Sequence, residues 1–347
     1  MVRRIWKVWC FWVAATLIAV APDAVIAEVR LPKQITLVIG SSAGGGYDQY
    51  ARLAAKYLPR HFPGNPSIVV QNMPGAGGMR LLSWMDTAAP QDGSVMGTLQ
   101  GSAIFEPLLL GGPAPAGDSR AFNYLISLDR QSNFLLVWHT TPYKSVQDAF
   151  SRQIVLGTTG GPSGVVPIMY NRLLGTKFKV VTGYGGTNEV LLAMERGELD
   201  GSFTVPWAGI LAQPRLLNDN LIRILLQLNF NPIEDPRVAS VPSFNDFVKD
   251  KTVKDMLEIF QAKDDVGRVF IAPKNVPPDL VRIYRESLLK MTNDPEFLAE
   301  AKERNMPLMI KTGEEVEAYV KRMYGMPDAT ITRLREEVRL ATEQAGK

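Results

Sequence analysis

The chain has 347 residues, 46% of them hydrophobic, which is enough to bury two ordinary cores. Charged residues make up 21% and the formal net charge is only +3, which excludes a basic nucleic-acid-binding stripe and a disordered chain. A single cysteine, Cys10, excludes a disulfide framework and cysteine-based zinc sites.

The N-terminus reads as a secretory signal peptide over residues 1–27. Arg3, Arg4 and Lys7 form a positive start, Trp9 to Ala21 is uncharged and largely apolar, and Val25-Ile26-Ala27 precedes Glu28 at a suitable cleavage position. The apolar run is short for a span of ~20 residues, so cleavage is expected rather than anchoring. Loss of Arg3, Arg4, Lys7 and Asp23 with this segment takes the formal charge from +3 to +1. Cys10 leaves too, so the exported chain would carry no thiol nucleophile. No later stretch is long and apolar enough to span.

Beyond it, Ile35 to Ile39 is a continuous apolar run, as in a strand buried on both faces. Gly40 to Gly46 is a loop, and Tyr47, Tyr50, Ala51, Ala54, Ala55 and Leu58 recur at helical spacing. Ser67 to Val70 is a second strand, Asn72 to Gly78 a glycine-rich loop, and a helix follows through Trp84-Met85. Val95 to Leu99 is a third strand. Strands alternating with helices predict a parallel, doubly wound sheet with its loops gathered along one edge, where open α/β sheets bind ligands.

A second such unit is expected from Asp129. Its strands are 134–138, 153–156, 178–181, a short one near Ser202, and 222–227. Helices are expected from Ser145, over 165–174 and over 188–196. Residues 232–242 read as a connection. The rest is mostly helical, apart from a strand at 268–271, and returns to the first unit. The predicted organisation is a first lobe of 28–128 plus 232–347 and a second lobe of 129–231.

Two loops could carry chemistry. In Gly40 to Asp48, a strand feeds glycines that open onto a helix N-terminus. The free amides there, with the helix dipole, make an anion site without any Lys or Arg. It lacks the Gly-Lys-Ser/Thr of a Walker loop, and its glycine spacing is wrong for a dinucleotide fold. A plain tight turn has the same composition. Asp48 in the first helical turn suits the dipole, and loop support is favoured over contact with an anion, which it would repel. Residues 158 to 164 repeat the pattern with Thr158, Thr159, Ser163 and Gly164, although Ser163 also reads as an ordinary N-cap. One such loop per lobe suits a ligand held between lobes.

Catalytic constellations are thin. His61 and His139 are isolated, and no G-x-S-x-G or H-E-x-x-H motif occurs. No cofactor or metal is expected, and Trp207 is the aromatic most worth following.

In order along the chain, Gly44-Gly45-Gly46-Tyr47-Asp48-Gln49-Tyr50-Ala51-Arg52, Asn72-Met73-Pro74-Gly75-Ala76-Gly77-Gly78, Asp92-Gly93, Tyr184-Gly185-Gly186, Gly197-Glu198-Leu199-Asp200 and Ile271-Ala272-Pro273 to Pro277 resemble the motifs of the solute receptors of tripartite tricarboxylate transporters, the Bug proteins. Gly185 departs from that family's usual Lys, Met73 from a frequent Arg, and Ser41-Ser42-Ala43 from an aromatic-Pro lead-in.

The resemblance implies an α/β, two-lobed periplasmic binding protein of the Venus-flytrap, type II-like kind. It implies a small organic (di/tri)carboxylate as ligand, integral membrane permease subunits as partners, a monomer, and no enzyme activity. The site residues it implies are Ser41, Ser42, Gly45, Gly46, Asp48 and Ser102 on one wall, Thr158, Thr159, Ser163 and Gly164 on the other, with Tyr184 and Asp200 nearby. A ligand sensor for a signalling partner, or an enzyme on the same fold, are the alternatives.

Overall fold

The computed structural model describes residues 31–111, 118–158, 164–203, 205–230, 232–233 and 235–346. The signal peptide expected over 1–27 lies outside them.

The first βα units form as the apolar runs require. Gln34–Ile39 (β1) leads to Gly46–Tyr57 (α1), Ser67–Asn72 (β2) to Met79–Thr87 (α2), and Val95–Leu99 (β3) to Gly101–Leu110 (α3). β1 pairs in parallel with β2 on one side and β3 on the other, which is why Ile35, Leu37 and Ile39 are fully buried. α1 turns Tyr50, Ala51, Leu53, Ala54 and Tyr57 inward, the face its spacing marked.

Asn123–Asp129 (β4) then completes the outgoing path. The chain crosses to a second sheet made of Phe134–Trp138 (β5), Ile154–Gly157 (β6), Phe178–Val181 (β7), Gly201–Ser202 (β8) and Ile222–Gln227 (β9). Its helices are Asp148–Ser151 (α4), Val165–Leu174 (α5), Thr187–Glu195 (α6), Trp207–Leu211 (α7) and Arg215–Asn218 (α8).

Lys251–Asp265 (α9), capped by the Asp250 carboxylate accepting from Val253 N, leads back to Gly267–Ala272 (β10). The remainder is Pro278–Thr292 (α10), Pro295–Glu303 (α11), Lys311–Thr312 (β11), Gly313–Tyr324 (α12) and Asp328–Ala345 (α13). A capping box between Thr312 and Glu315 starts α12.

The strand orders are β11-β4-β10-β3-β1-β2 and β7-β6-β8-β5-β9. Neither sheet is wholly parallel, as the alternation predicted. The chain leaves the first sheet at the end of β4 and re-enters at that same edge, so β10 must run against β3 and β4. By the same logic β5 enters the second sheet at the edge where β6 and β8 end, and runs against β8. β4 and α3 were missed from sequence: no element was assigned between the third strand and Asp129, and α3 carries Pro107 in its interior.

Among the described residues, no helix is long and apolar enough to cross a membrane. One apolar cluster takes in residues around both sheets, including Phe105, Leu156, Tyr170, Phe260 and Leu334.

Candidate functional site

The crossing fixes the site's place. From Asp129 at the end of β4 to Phe134 at the start of β5 there are five Cα steps. At 3.8 Å per step, the two sheet edges are within about 19 Å of each other there. These are the edges at which β1, β2, β3, β6 and β7 end, so their loops all leave from this one margin.

Four chain segments are stitched together at the margin. Asn229 Nδ2 donates to Gln131 O at 2.8 Å, and Asn229 Oδ1 accepts from Asn133 N at 3.0 Å. Gln131 N donates to Asp264 O at 2.8 Å. Asp265, fully buried, accepts from Tyr319 OH at 3.0 Å and from Asn229 Nδ2 at 3.3 Å. Burial raises its pKa above the usual carboxylate range, against the pull of Lys311 and Arg130.

The loop after β1 is held from within. Asp48 is buried, and its Oδ2 accepts from Gly44 N at 2.9 Å and from Arg52 Nε at 2.8 Å. Its Oδ1 accepts from Asn72 Nδ2 at 2.9 Å, and that amide also donates to Ser41 O at 3.0 Å. Arg52 closes the ring on Asn72 Oδ1 at 3.1 Å. The Arg52 hydrogen bond, with those from Gly44 and Asn72, holds the Asp48 pKa down to about 2 against desolvation. Asp48 therefore shapes the loop. Gly45, the N-cap of α1, has no side-chain cap, and Gly44, Gly45 and Gly46 are exposed. Among the described residues, no side chain makes a capping hydrogen bond at this helix start.

The loop after β2 needs its glycines. Gly75, Ala76, Gly77 and Gly78 have φ of 147°, 43°, 61° and 96°. A Cβ on Gly78 would lie 2.7 Å from Gln100 Oε1, and one on Gly77 would lie 3.9 Å from Ser102 Oγ. Ser102, in the first turn of α3, thus stands beside this loop.

In the second sheet, Thr158 directly follows β6. It is fully buried, and its amide donates to Val181 O at 2.9 Å. Thr159 and Ser163 lie outside the described residues. Gly164 begins α5, with its Cβ position 3.7 Å from both Thr158 Oγ1 and Ala345 Cβ. After β7, Tyr184 is half-buried against the second sheet's core, and Gly185 N donates to Glu189 Oε2 at 2.8 Å.

Asp200 does not join this margin. It stands where β8 enters beside β6, its Oδ2 accepting from Val155 N at 2.7 Å and from Tyr143 OH at 3.3 Å. A carboxylate before a short strand satisfied an orphan strand amide instead. Trp207 is buried against Phe134 with ring centroids 5.5 Å apart, a core role. His61 Nε2 lies 2.7 Å from Asp294 Oδ2, and His139 is exposed.

Buried polar side-chain atoms are normally paired. Among the described residues, those left without a partner include Ser41 Oγ, Gln100 Oε1, Asp129 Oδ1, Thr158 Oγ1 and Arg268 Nε. All five residues sit where β1, β3, β4 and β6 end or where β10 begins, which is the same margin. Gln100, Asp129 and Arg268 carried no sequence signal, because each falls at a strand end with no motif around it. No group of His, Cys, Asp and Glu among the described residues could hold a metal ion.

A TctC solute-binding protein from Polaromonas superposes with a TM-score of 0.69 at 18% identity, over 88% of this chain and 98% of that one. The chain has the fold of the TctC/Bug solute-binding proteins. An R. palustris protein solved with adipate matches with a TM-score of 0.56 at 20% identity, over 89% and 97% of the two chains. The periplasmic binding protein BugD gives 0.53 at 17%, over 90% and 98%. A curated Cupriavidus necator relative, the UPF0065 protein in gbd 5'region, is 26% identical over 307 residues, covering 82% of this chain and 86% of its own length. No family profile matches the chain. The family that the motifs resemble is the one to which these relatives belong.

Proposed function

We propose that this chain is an exported, periplasmic solute receptor that captures a small organic carboxylate and delivers it to the membrane subunits of a tripartite tricarboxylate-type transporter. The observation that carries the reading is the gathering of unpaired buried polar atoms on the one margin where both sheets present their loops. Ser41, Ser42, Gly45, Gly46 and Ser102 would form the wall from the first lobe, 28–128 plus 232–347. Thr158, Thr159, Ser163, Gly164 and Tyr184 would form the wall from the second, 129–231. The exposed amides at the start of α1 suit an anion, and the hydroxyls suit a carboxylate's remaining lone pairs. The solved R. palustris neighbour holds adipate, a ligand of this class.

Three or four charge-assisted hydrogen bonds at about 1.5–3 kcal/mol each support a micromolar dissociation constant, about −8 kcal/mol, once ordering costs are subtracted. No bond is made or broken in such a cycle. Melting of the purified protein should rise with at least one acid from a panel of mono-, di- and tricarboxylates. A rise with neutral sugars or amines, and with no acid, contradicts the proposal.

A further inference from the structure

We infer that Arg268 supplies the counter-charge for the ligand's carboxylate, and so makes the site selective for the ionised acid over its neutral isosteres. The inference rests on the carboxylate reading above and goes beyond the amide-and-hydroxyl wall of the two loops.

Arg268 opens β10 at the margin. Its backbone has φ of +50°, a left-handed conformation that is uncommon for a side-chain-bearing residue and tends to persist at binding sites. The side chain returns toward the loop after β1, and Nη2 lies 3.5 Å from the position a Cβ on Gly46 would take. The guanidinium thus stands against the uncapped first turn of α1. The rings of Tyr47 and Tyr50 hold it, with centroids 5.0 and 4.9 Å from Cζ.

Its ionic needs are incompletely met. Nη1 is 3.0 Å from Asp129 Oδ2, while Nε is buried without a partner and so is Asp129 Oδ1. The side chain keeps 18% of its surface exposed. A guanidinium offers five N–H donors in a planar fork suited to a carboxylate. Beside the amides of Gly45 and Gly46, the Nη2 side of that fork gives an incoming carboxylate both partial and full positive charge. Asp129 competes with the ligand for the same cation. Tyr47, Tyr50, Asp129, Arg130 and Asp264 are titratable groups that face this corner.

The test is calorimetric titration of the purified protein with adipate, malate and citrate, and with the diamide of adipate, in wild type and in R268Q, R268K and D129N. Circular dichroism melting checks each variant's fold. R268Q should bind the best acid about 10- to 100-fold more weakly, the loss of one charge-assisted contact, with R268K in between. D129N should bind the same acid more tightly by about 2- to 10-fold at pH 7, since it removes the competitor while keeping the cation. A purely structural ion pair gives no such gain, so D129N decides the matter even if R268Q unfolds. Acid binding by wild type that stays within twofold in R268Q, R268K and D129N overturns the role of Arg268 and leaves the receptor reading standing. Failure of wild type to bind any acid overturns both.

Discussion

The loops after β1 and β7 use the same device to different degrees. In each, a glycine amide donates to a carboxylate four residues on: Gly44 to Asp48 at 2.9 Å and Gly185 to Glu189 at 2.8 Å. Asp48 is buried and tied further to Arg52 and Asn72, whereas Glu189 stands exposed with Gly185 as its partner. The first loop is thereby fixed before any ligand arrives, and its own acid is neutralised by its own base. The second has its side-chain bond at an exposed carboxylate, where water competes for the same acceptor. The loop after β1 is thus tied at a buried carboxylate, and the loop after β7 at an exposed one.

The sharpest way to break this contrast is Asp48→Ala. It strips acceptors from Gly44, Arg52 and Asn72 at once, and should cost about 2–3 kcal/mol in denaturant unfolding, together with ligand binding. Because the folded pKa of Asp48 is lowered from 3.8 to about 2, its contribution is full above pH 3.8 and disappears as pH falls through about 2. An unchanged denaturation midpoint in the variant means the loop is not held this way.

Asp129 should show the opposite sign. Burial raises its pKa from 3.8 to about 6, against the lowering pull of Arg268. Between pH 3.8 and about 6 the folded chain binds a proton that the unfolded chain has released, so this group lowers stability as pH rises through that window. D129N should flatten the melting profile there by about 3 kcal/mol across the range. A profile as steep as wild type assigns the slope to other groups.

The smallest effect belongs to Glu189→Gln, which should shift unfolding by less than about 0.5 kcal/mol, as for an exposed surface change. A loss comparable to that of Asp48→Ala would erase the distinction between the two loops.

Much of this was legible from residue pattern. The continuous apolar run 35–39 could only be a strand with neighbours on both sides, and helices 165–174 and 187–195 follow their apolar spacing closely. Asp48 as loop support follows from the repulsion between a carboxylate and an anion. The crossing geometry was not legible, because two strands of opposite direction read alike in one dimension; hence the mixed sheets. Asp200 was misplaced because a Gly-x-x-Asp segment does not say at which end of a strand its carboxylate will find an amide. Arg268 gave no local signal, since its meaning depends on Gly46 and Asp129, both distant in sequence.

A crystal structure of the protein with the tightest-binding acid tests the central claim most directly. The account predicts a carboxylate at the start of α1, within hydrogen-bond reach of the Gly45 or Gly46 amide, with Thr158 on the facing wall. An acid bound instead in the apolar groove lined by Leu109, Val165, Phe260 and Val338, a space of about 520 Å³, would contradict it.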